Sequence, residues 1–106
     1  MMKIYLVLFQ YCTDECDGIE TQVYSTYEKA VERFNEIITT EKTSDIRWAA
    51  NAFENGKLRH NYELDRNDTF TDGEEHELWW YLTCKIDWYL HDFVELRILE
   101  IDSNEL

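Results

Sequence analysis

Six consecutive apolar residues, Ile4 to Phe9, constrain the fold of this chain more than any other feature. Successive side chains of a strand point to opposite faces, so a strand formed here would be apolar on both faces. We therefore predict a strand over residues 2–11 that lies in the interior of a sheet, with both faces partly covered. The run is too short to span a membrane, and no small-residue cleavage site follows it, so we expect a cytoplasmic protein.

The segments that follow predict a return strand and two helices. Residues 19–25, "IETQVYS", would form a hairpin with the first strand. Residues 25–42 carry an apolar stripe at helical spacing, and Ser25 with Glu28 has the spacing of a capping box. Residues 44–56 also show helical periodicity and end in a glycine, so we predict a second, shorter helix there.

The pattern after the second helix is weak, and we predict irregular chain with a short strand around Tyr62. Residues 77–86 and 93–101 are rich in aromatic and β-branched residues, so we expect two strands that form a second hairpin. The apolar parity of the last strand shifts at Leu99 and Ile101, which suggests a bulge or an exit from the sheet.

This order of elements, ββααββ, predicts the fold class. The chain has 106 residues, of which 44% are hydrophobic, and this is enough to close one core. It has no proline and only three glycines, so no flexible linker divides it. We predict a single α+β domain over residues 1–106, with an antiparallel sheet of about four strands and two helices on one face.

The formal net charge is −13 at pH 7, from 23 acidic and 10 basic residues. Such a charge argues against direct binding of nucleic acid, whose phosphates require a basic surface, and disfavours anionic membranes. The excess is uneven: residues 28–66 hold 8 acids and 7 bases, and the rest of the chain holds 15 acids and 3 bases. A partner attracted by charge would be basic, although solubility alone also explains an acidic surface.

Acids in the predicted turns and an aromatic cluster are the candidate partner-binding residues. Carboxylates at successive same-face positions of a strand lie about 6.5 to 7 Å apart, so a row of them can imitate phosphates in spacing and sign. Trp79 and Trp80 are adjacent, so one would enter the core and the other could anchor a partner on the far face. The predicted contacts are Asp14, Glu15, Asp17, Glu20, Asp72, Glu74, Glu75, Glu77, Trp80, Trp88 and Tyr89.

The sequence holds little that indicates catalysis or a metal. Cys12 and Cys16 have C-x3-C spacing, which supplies only two of the four ligands that zinc requires and is not a redox C-x-x-C motif. No nucleophile elbow, glycine-rich phosphate loop or H-E-x-x-H motif is present. We predict a non-enzymatic protein without a metal or cofactor, and keep a zinc-stabilised module built on the two cysteines as an alternative.

The opening stretch "KIYLVLFQYC…TQVYSTYEKAVERFNEI" looks like that of many small proteins of phages and mobile elements. The size, the acidity and the lack of a catalytic motif resemble phage-type inhibitors of host defence, such as anti-CRISPR and anti-restriction DNA mimics. The resemblance implies a basic nucleic-acid-binding partner, a nuclease or a CRISPR effector, whose DNA site is blocked by carboxylates in the host cytoplasm. The alternative is a small structural or regulatory domain that homodimerises through an aromatic sheet face. In a further alternative, Trp48 of the same chain covers that face.

Overall fold

A computed structural model describes residues 2–12, 17–43, 53–54, 57–68, 74–85 and 89–102 of this protein. These residues form seven strands and one helix. In chain order the elements are β1 (Met2–Cys12), β2 (Asp17–Tyr24), α1 (Tyr27–Thr43), β3 (Phe53–Glu54), β4 (Lys57–Leu58), β5 (Tyr62–Asn67), β6 (Leu78–Cys84) and β7 (Tyr89–Ile101).

β1 lies inside a five-stranded antiparallel sheet whose strand order is β2-β1-β7-β6-β5. Its register places Val7 opposite Gln22 of β2 and opposite Leu96 of β7. β6 continues the sheet, with Leu78 opposite Leu96, and β5 forms the far edge. The prediction of an interior strand at residues 2–11 is therefore confirmed.

The core lies between α1 and one face of the sheet. Odd-numbered residues of β1 from Tyr5 to Phe9 and even-numbered residues of β6 from Leu78 to Leu82 and of β7 from Val94 to Ile98 point into it. α1 contributes Ala30 and Phe34, which are fully buried. Trp80 of β6 is also fully buried, and its ring stacks on Phe53 with 6.3 Å between the ring centroids. β3 therefore packs on the same face of the sheet as α1.

α1 confirms the first predicted helix, although its start differs in detail. The backbone N–H of Ala30 donates to the carbonyl of Thr26 over 3.3 Å, which makes Thr26 the N-cap residue. The capping box predicted at Ser25 and Glu28 is wrong, because the third helical residue is Lys29. Glu28 instead lies in the first turn, where a negative charge interacts favourably with the helix dipole.

The predicted order ββααββ, with four strands and two helices, is wrong. The described residues form a five-stranded antiparallel sheet with a single helix. Most of the second predicted helix, residues 44–52 and 55–56, lies outside the described residues, but Phe53–Glu54 is a strand that pairs with Lys57–Leu58. The glycine that suggested a helix end belongs to an Asn-Gly dipeptide between these paired residues, which is the strongest short-range signal for a hairpin.

β5 is the strand that the sequence pattern indicated least clearly. Its first and third residues, Tyr62 and Leu64, are half-buried against the core. The other positions, including Glu63, Asp65 and Arg66, are polar because β5 is an edge strand exposed to solvent. Charges of this kind protect a sheet edge from further pairing, and they also obscure the apolar alternation that predicts a strand.

β7 pairs with β1 in unbroken register from Asp92 to Ile101, which lies opposite Met2. The bulge predicted at Leu99 and Ile101 is therefore wrong, and the irregularity lies in the β6–β7 pair instead. The shift in apolar parity has a different meaning, because it places Leu99 and Ile101 on the sheet face opposite to α1.

Candidate partner-binding face

The sheet face opposite to α1, named the open face, is partly apolar and accessible to solvent. It carries the even-numbered residues of β1 from Met2 to Gln10 and the odd-numbered residues of β2 from Ile19, of β5, of β6 and of β7 from Phe93. Its most exposed large apolar side chains are Ile19, Val23, Met2 and Leu99, with exposed fractions of 63%, 59%, 44% and 40%. Exposed apolar side chains that lie together on one face indicate an interaction surface.

The open face divides into two halves of different chemistry. The half over β5, β6 and the adjoining part of β7, named the acidic-aromatic half, contains Glu63, Asp65, Glu77, Trp79, Tyr81, Phe93 and Glu95. The half over β2, β1 and the end of β7, named the aliphatic half, contains Met2, Ile4, Leu6, Leu8, Ile19, Val23, Leu99 and Ile101, together with the uncharged polar residues Gln10 and Thr21. The Glu95–Arg97 ion pair of β7 lies at the border between them.

Hydrogen bonds hold the aromatic side chains of the acidic-aromatic half against its carboxylates. Trp79 Nε1 donates to Asp65 Oδ1 over 3.4 Å, and the Tyr81 hydroxyl donates to Glu95 Oε1 over 2.6 Å. The other Glu95 oxygen lies 3.4 Å from Nε of Arg97. The pKa of Tyr81 is raised to about 12, first by burial and then by the hydrogen bond to Glu95 and its charge. Tyr81 therefore remains a donor at neutral pH and orients the Glu95 carboxylate.

The spacing of these carboxylates follows from the sheet. Glu63 and Asp65 are two residues apart on β5, which corresponds to about 6.5 to 7 Å. Asp65 and Glu95 lie on strands two positions apart in the sheet, which corresponds to about 10 Å. Among the described side chains of this half and its border, Arg97 is the only cation. The arrangement suits lysine and arginine side chains of a partner, which would pair with the carboxylates and contact the Trp79 ring.

The acidic segment at residues 74–77 has an internal structural role as well as a negative charge. The Tyr5 hydroxyl donates to both carboxylate oxygens of Glu75, over 2.6 and 2.9 Å. The Glu77 carboxylate accepts a hydrogen bond of 3.2 Å from the backbone N–H of Ile98. Between them, the His76 carbonyl accepts a 2.7 Å bond from the Tyr27 hydroxyl. Two of the predicted contact residues, Glu75 and Glu77, thus fasten this segment to the sheet.

The other predicted contact residues lie in different parts of the structure or outside the described residues. Trp80 is buried in the core, so the exposed tryptophan of the adjacent pair is Trp79. Glu20 is exposed on β2, on the side of α1, and Glu74 is exposed beside the sheet. The backbones of Asp17 and Tyr89 belong to β2 and β7, and their side chains are not described. The remaining four residues lie outside the described part of the chain: Asp14, Glu15, Asp72 and Trp88.

The described residues next to the two predicted acidic turns lie at opposite ends of the sheet. Glu75 contacts Tyr5, near the start of β1. The first acidic turn follows Cys12, which pairs with Asp17 at the other end of that strand. Seven residues separate Tyr5 from Cys12, which corresponds to about 23 Å of strand. The structure therefore brings the segment at residues 74–77 near the acidic-aromatic half and places the end of β1 that leads to the first turn away from it.

Sequence reasoning missed the acids at the centre of this surface. Glu63 and Asp65 belong to β5, whose weak pattern hid their common face. Their signal is the alternation from Tyr62 to Arg66, in which every second residue is acidic. Glu95 was also missed; in the structure it pairs with Arg97, two residues along the same face of β7.

The described residues contain neither a metal-binding cluster nor a membrane-spanning helix. No group of three histidine, cysteine or acidic side chains in this part of the chain is arranged to hold a metal ion. Of the C-x3-C pair, Cys16 and the side chain of Cys12 lie outside the described part of the chain. No helix in the described ranges has the length and apolarity needed to cross a bilayer.

The chain matches no protein-family model, no curated protein and no solved structure. Its function must therefore be inferred from the chemistry of the open face and of the segment beside it.

Proposed function

We propose that this protein is a non-enzymatic, acidic protein-binding inhibitor. Its partner is a basic nucleic-acid-binding protein of the nuclease or CRISPR effector class, and the interaction takes place in the cytoplasm. The acidic-aromatic half of the open face contacts the partner. The observation that carries the proposal is the placement of Glu63, Asp65 and Glu95 on one sheet face around Trp79 and Tyr81.

Charge and aromatic contacts support a protein partner. Tryptophan, tyrosine and charged pairs that lose water contribute much of the binding energy in known interfaces. Trp79 is partly exposed, and its indole N–H donates a hydrogen bond to the Asp65 carboxylate. A cation placed on the ring would therefore also lie near Asp65. Nucleic acid itself would be repelled by a chain of net charge −13.

The spacing of the carboxylates supports competition with nucleic acid. Two successive acids on β5 are separated by about 6.5 to 7 Å, and every second phosphate of a nucleic-acid strand is separated by about 6.8 Å along the axis. Cationic side chains that accept phosphates at this interval would accept Glu63 and Asp65 as well. The inhibitor would then occupy the nucleic-acid site by steric and electrostatic competition. Association should be fast and should weaken as salt is added.

The test is capture of the partner by the immobilised protein from a lysate of the source cell, followed by affinity measurement with the purified partner. The Glu63→Gln/Asp65→Asn double variant removes two charges from the acidic-aromatic half. The control, Glu32→Gln/Glu36→Gln, removes two exposed charges from α1. We expect the first variant to bind about 10- to 100-fold more weakly at low salt and the control to bind almost normally. Trp79→Ala should cost about 30-fold.

Two results would contradict different parts of the proposal. Equal weakening by both double variants would mean that only total charge matters, and would reject the acidic-aromatic half as the contact surface. Binding that is unaffected by added duplex DNA would reject competition for the nucleic-acid site, even if a partner is captured.

A further inference from the structure

The aliphatic half of the open face has no role in the function proposed above. Ile19 and Val23 are more than half exposed, and Met2 and Leu99 are exposed by 44% and 40%. The other members lie between them on β1 and at the end of β7, so the exposed side chains form one patch. The patch extends over three strands, about 10 Å between the outer strand axes, and along about 20 Å of β1. Contiguous apolar patches of this size on small proteins usually mark interaction sites.

We propose that the aliphatic half binds a second copy of this protein, so that the chain forms a two-fold symmetric dimer by packing open face on open face. The charge distribution favours this occupant. No carboxylate belongs to the aliphatic half, although the chain as a whole has a net charge of −13. A basic partner would find no acid to pair with there, whereas a second copy presents the same uncharged, apolar surface.

Sheet geometry shows how two such acidic copies can pack without placing their charges together. A two-fold axis that runs along β1 in the interface would place β1 over β1 and β2 over the partner's β7. The β5 and β6 parts of the two acidic-aromatic halves would then extend beyond opposite edges of the interface, about 24 Å apart, and the paired Glu95 and Arg97 of each copy would lie over β2 of the other. That separation exceeds the Debye length of about 8 Å at physiological salt, so their repulsion is largely screened. The β5 and β6 parts, with Glu63, Asp65 and Trp79, would also remain accessible to other proteins.

The area of the patch sets the strength of the expected dimer. Three strands over this length present on the order of 500 Å² of accessible surface on each copy. The pair would bury on the order of 1,000 Å², which is close to the lower limit for a specific interface. We therefore expect a dimer with micromolar affinity, in equilibrium with a folded monomer whose core does not depend on the contact.

Analytical ultracentrifugation of the full chain over a range of concentrations tests this inference. We expect mass to rise from monomer to dimer, and the dimer to strengthen between about 0.05 and about 0.5 M NaCl as repulsion is screened. This dependence is opposite to that of the proposed partner binding, so the two proposals can fail independently. A mass that stays monomeric at all concentrations would overturn the inference.

Substitutions locate the interface. Leu99→Glu and Val23→Glu each introduce a charge into the aliphatic half, and Asn35→Glu adds the same charge at an exposed position of α1. We expect the first two to weaken the dimer at least about 100-fold and the control to change it little. Leu99→Thr and Val23→Thr preserve strand propensity and should weaken it about tenfold, in case the glutamate variants do not fold. A dimer that Leu99→Glu leaves intact, as in pairing through the edge of β2, would overturn the inference.

Discussion

The side chain of Tyr5 connects the core, through its ring, to the acidic segment at residues 74–77, through its hydroxyl. Its ring packs against Tyr27, with 5.6 Å between the ring centroids and an angle of 64° between the planes. Its hydroxyl donates to the Glu75 carboxylate. This hydrogen bond, then burial and the charge of Glu75, raise the pKa of Tyr5 from 10.0 to about 12. The folded protein therefore holds the phenolic proton more tightly than the unfolded chain does.

This difference in pKa predicts a loss of stability at alkaline pH. The contribution of Tyr5 is fully present below pH 10 and is lost as the pH rises through about 12, because the unfolded chain releases the proton first. In Glu75→Gln, both the hydrogen bond to a charged group and its charge are removed, so the free energy of unfolding should fall less steeply across this range. Urea unfolding at several pH values, with titration of the tyrosinate absorbance, measures the effect. Glu74→Gln is the matched control, and an equal slope in all three proteins would contradict the prediction.

For single residues, the sequence predicts which side chains are acidic or aromatic, but it does not predict which partner each of them contacts. Glu74, Glu75 and Glu77 are similar in sequence, but the fold gives Glu75 a hydrogen bond from Tyr5, 70 residues away, and Glu77 one from the backbone of Ile98. The adjacent tryptophans are a comparable case. Strand parity correctly predicts that they point to opposite faces, but which of them is buried depends on the face that α1 covers.

At the scale of elements, β7 extends beyond its neighbour β6. β6 begins at Leu78, which pairs with Leu96, whereas β7 continues to Ile101 and pairs there only with β1 among the described strands. Where β6 no longer accompanies β7, the Glu77 carboxylate accepts a hydrogen bond from the backbone N–H of Ile98. A side chain thus satisfies a donor that the sheet leaves unpaired.

Removal of this acceptor should loosen the end of β7. In Glu77→Ala the Ile98 amide should exchange with deuterium several-fold faster, and the free energy of unfolding should fall by about 1 kcal/mol, since water replaces the carboxylate only in part. Glu77→Gln retains an oxygen acceptor and should show a smaller change. Glu74→Ala provides the control for loss of a nearby exposed carboxylate. Unchanged exchange at Ile98 in Glu77→Ala would show that the hydrogen bond does not protect the strand.

Most elements of the sheet and helix could be predicted from periodicity. β1, β2, β6, β7 and α1 agree with the predicted segments to within a few residues. Each of them except β2 places buried apolar side chains on a face that packs in the core. β5 lacked this signal because an edge strand has only one packed neighbour, and the hairpin of β3 and β4 was obscured by alanines that favour a helix. The aliphatic half of the open face was missed for a related reason: sequence alone assigns apolar residues to a core, even where they remain exposed.

At the scale of the whole molecule, the net charge of −13 is concentrated on a chain of 106 residues. The ion pairs Arg33–Glu36, Arg66–Asp68 and Arg97–Glu95 join residues two or three positions apart, and one side chain of each pair is more than half exposed. Such pairs stabilise the fold little. The repulsion among the remaining acids therefore opposes the compact state, as it does in other proteins far from charge neutrality.

Screening of this repulsion should stabilise the monomer. We expect the free energy of unfolding in urea to rise by about 1 kcal/mol between about 0.05 and about 0.5 M NaCl, at protein concentrations below those of dimerisation. Glycerol at matched viscosity serves as the uncharged control. A free energy that is independent of salt, or that falls, would mean that attractive pairs balance the acidic excess.

The pairing of β1 with β7 also has a consequence for biosynthesis. Tyr11 lies opposite Asp92 and Met2 opposite Ile101, so about 80 to 100 residues separate the paired positions. At a translation rate of 5 to 20 residues per second, β1 would leave the ribosome roughly 5 to 20 s before β7 could join it. During this interval one edge of β1 can pair only with β2, and its other edge remains open beside an apolar face. β1 is therefore the segment that a chaperone specific for extended apolar chains would bind while the rest of the protein is being made.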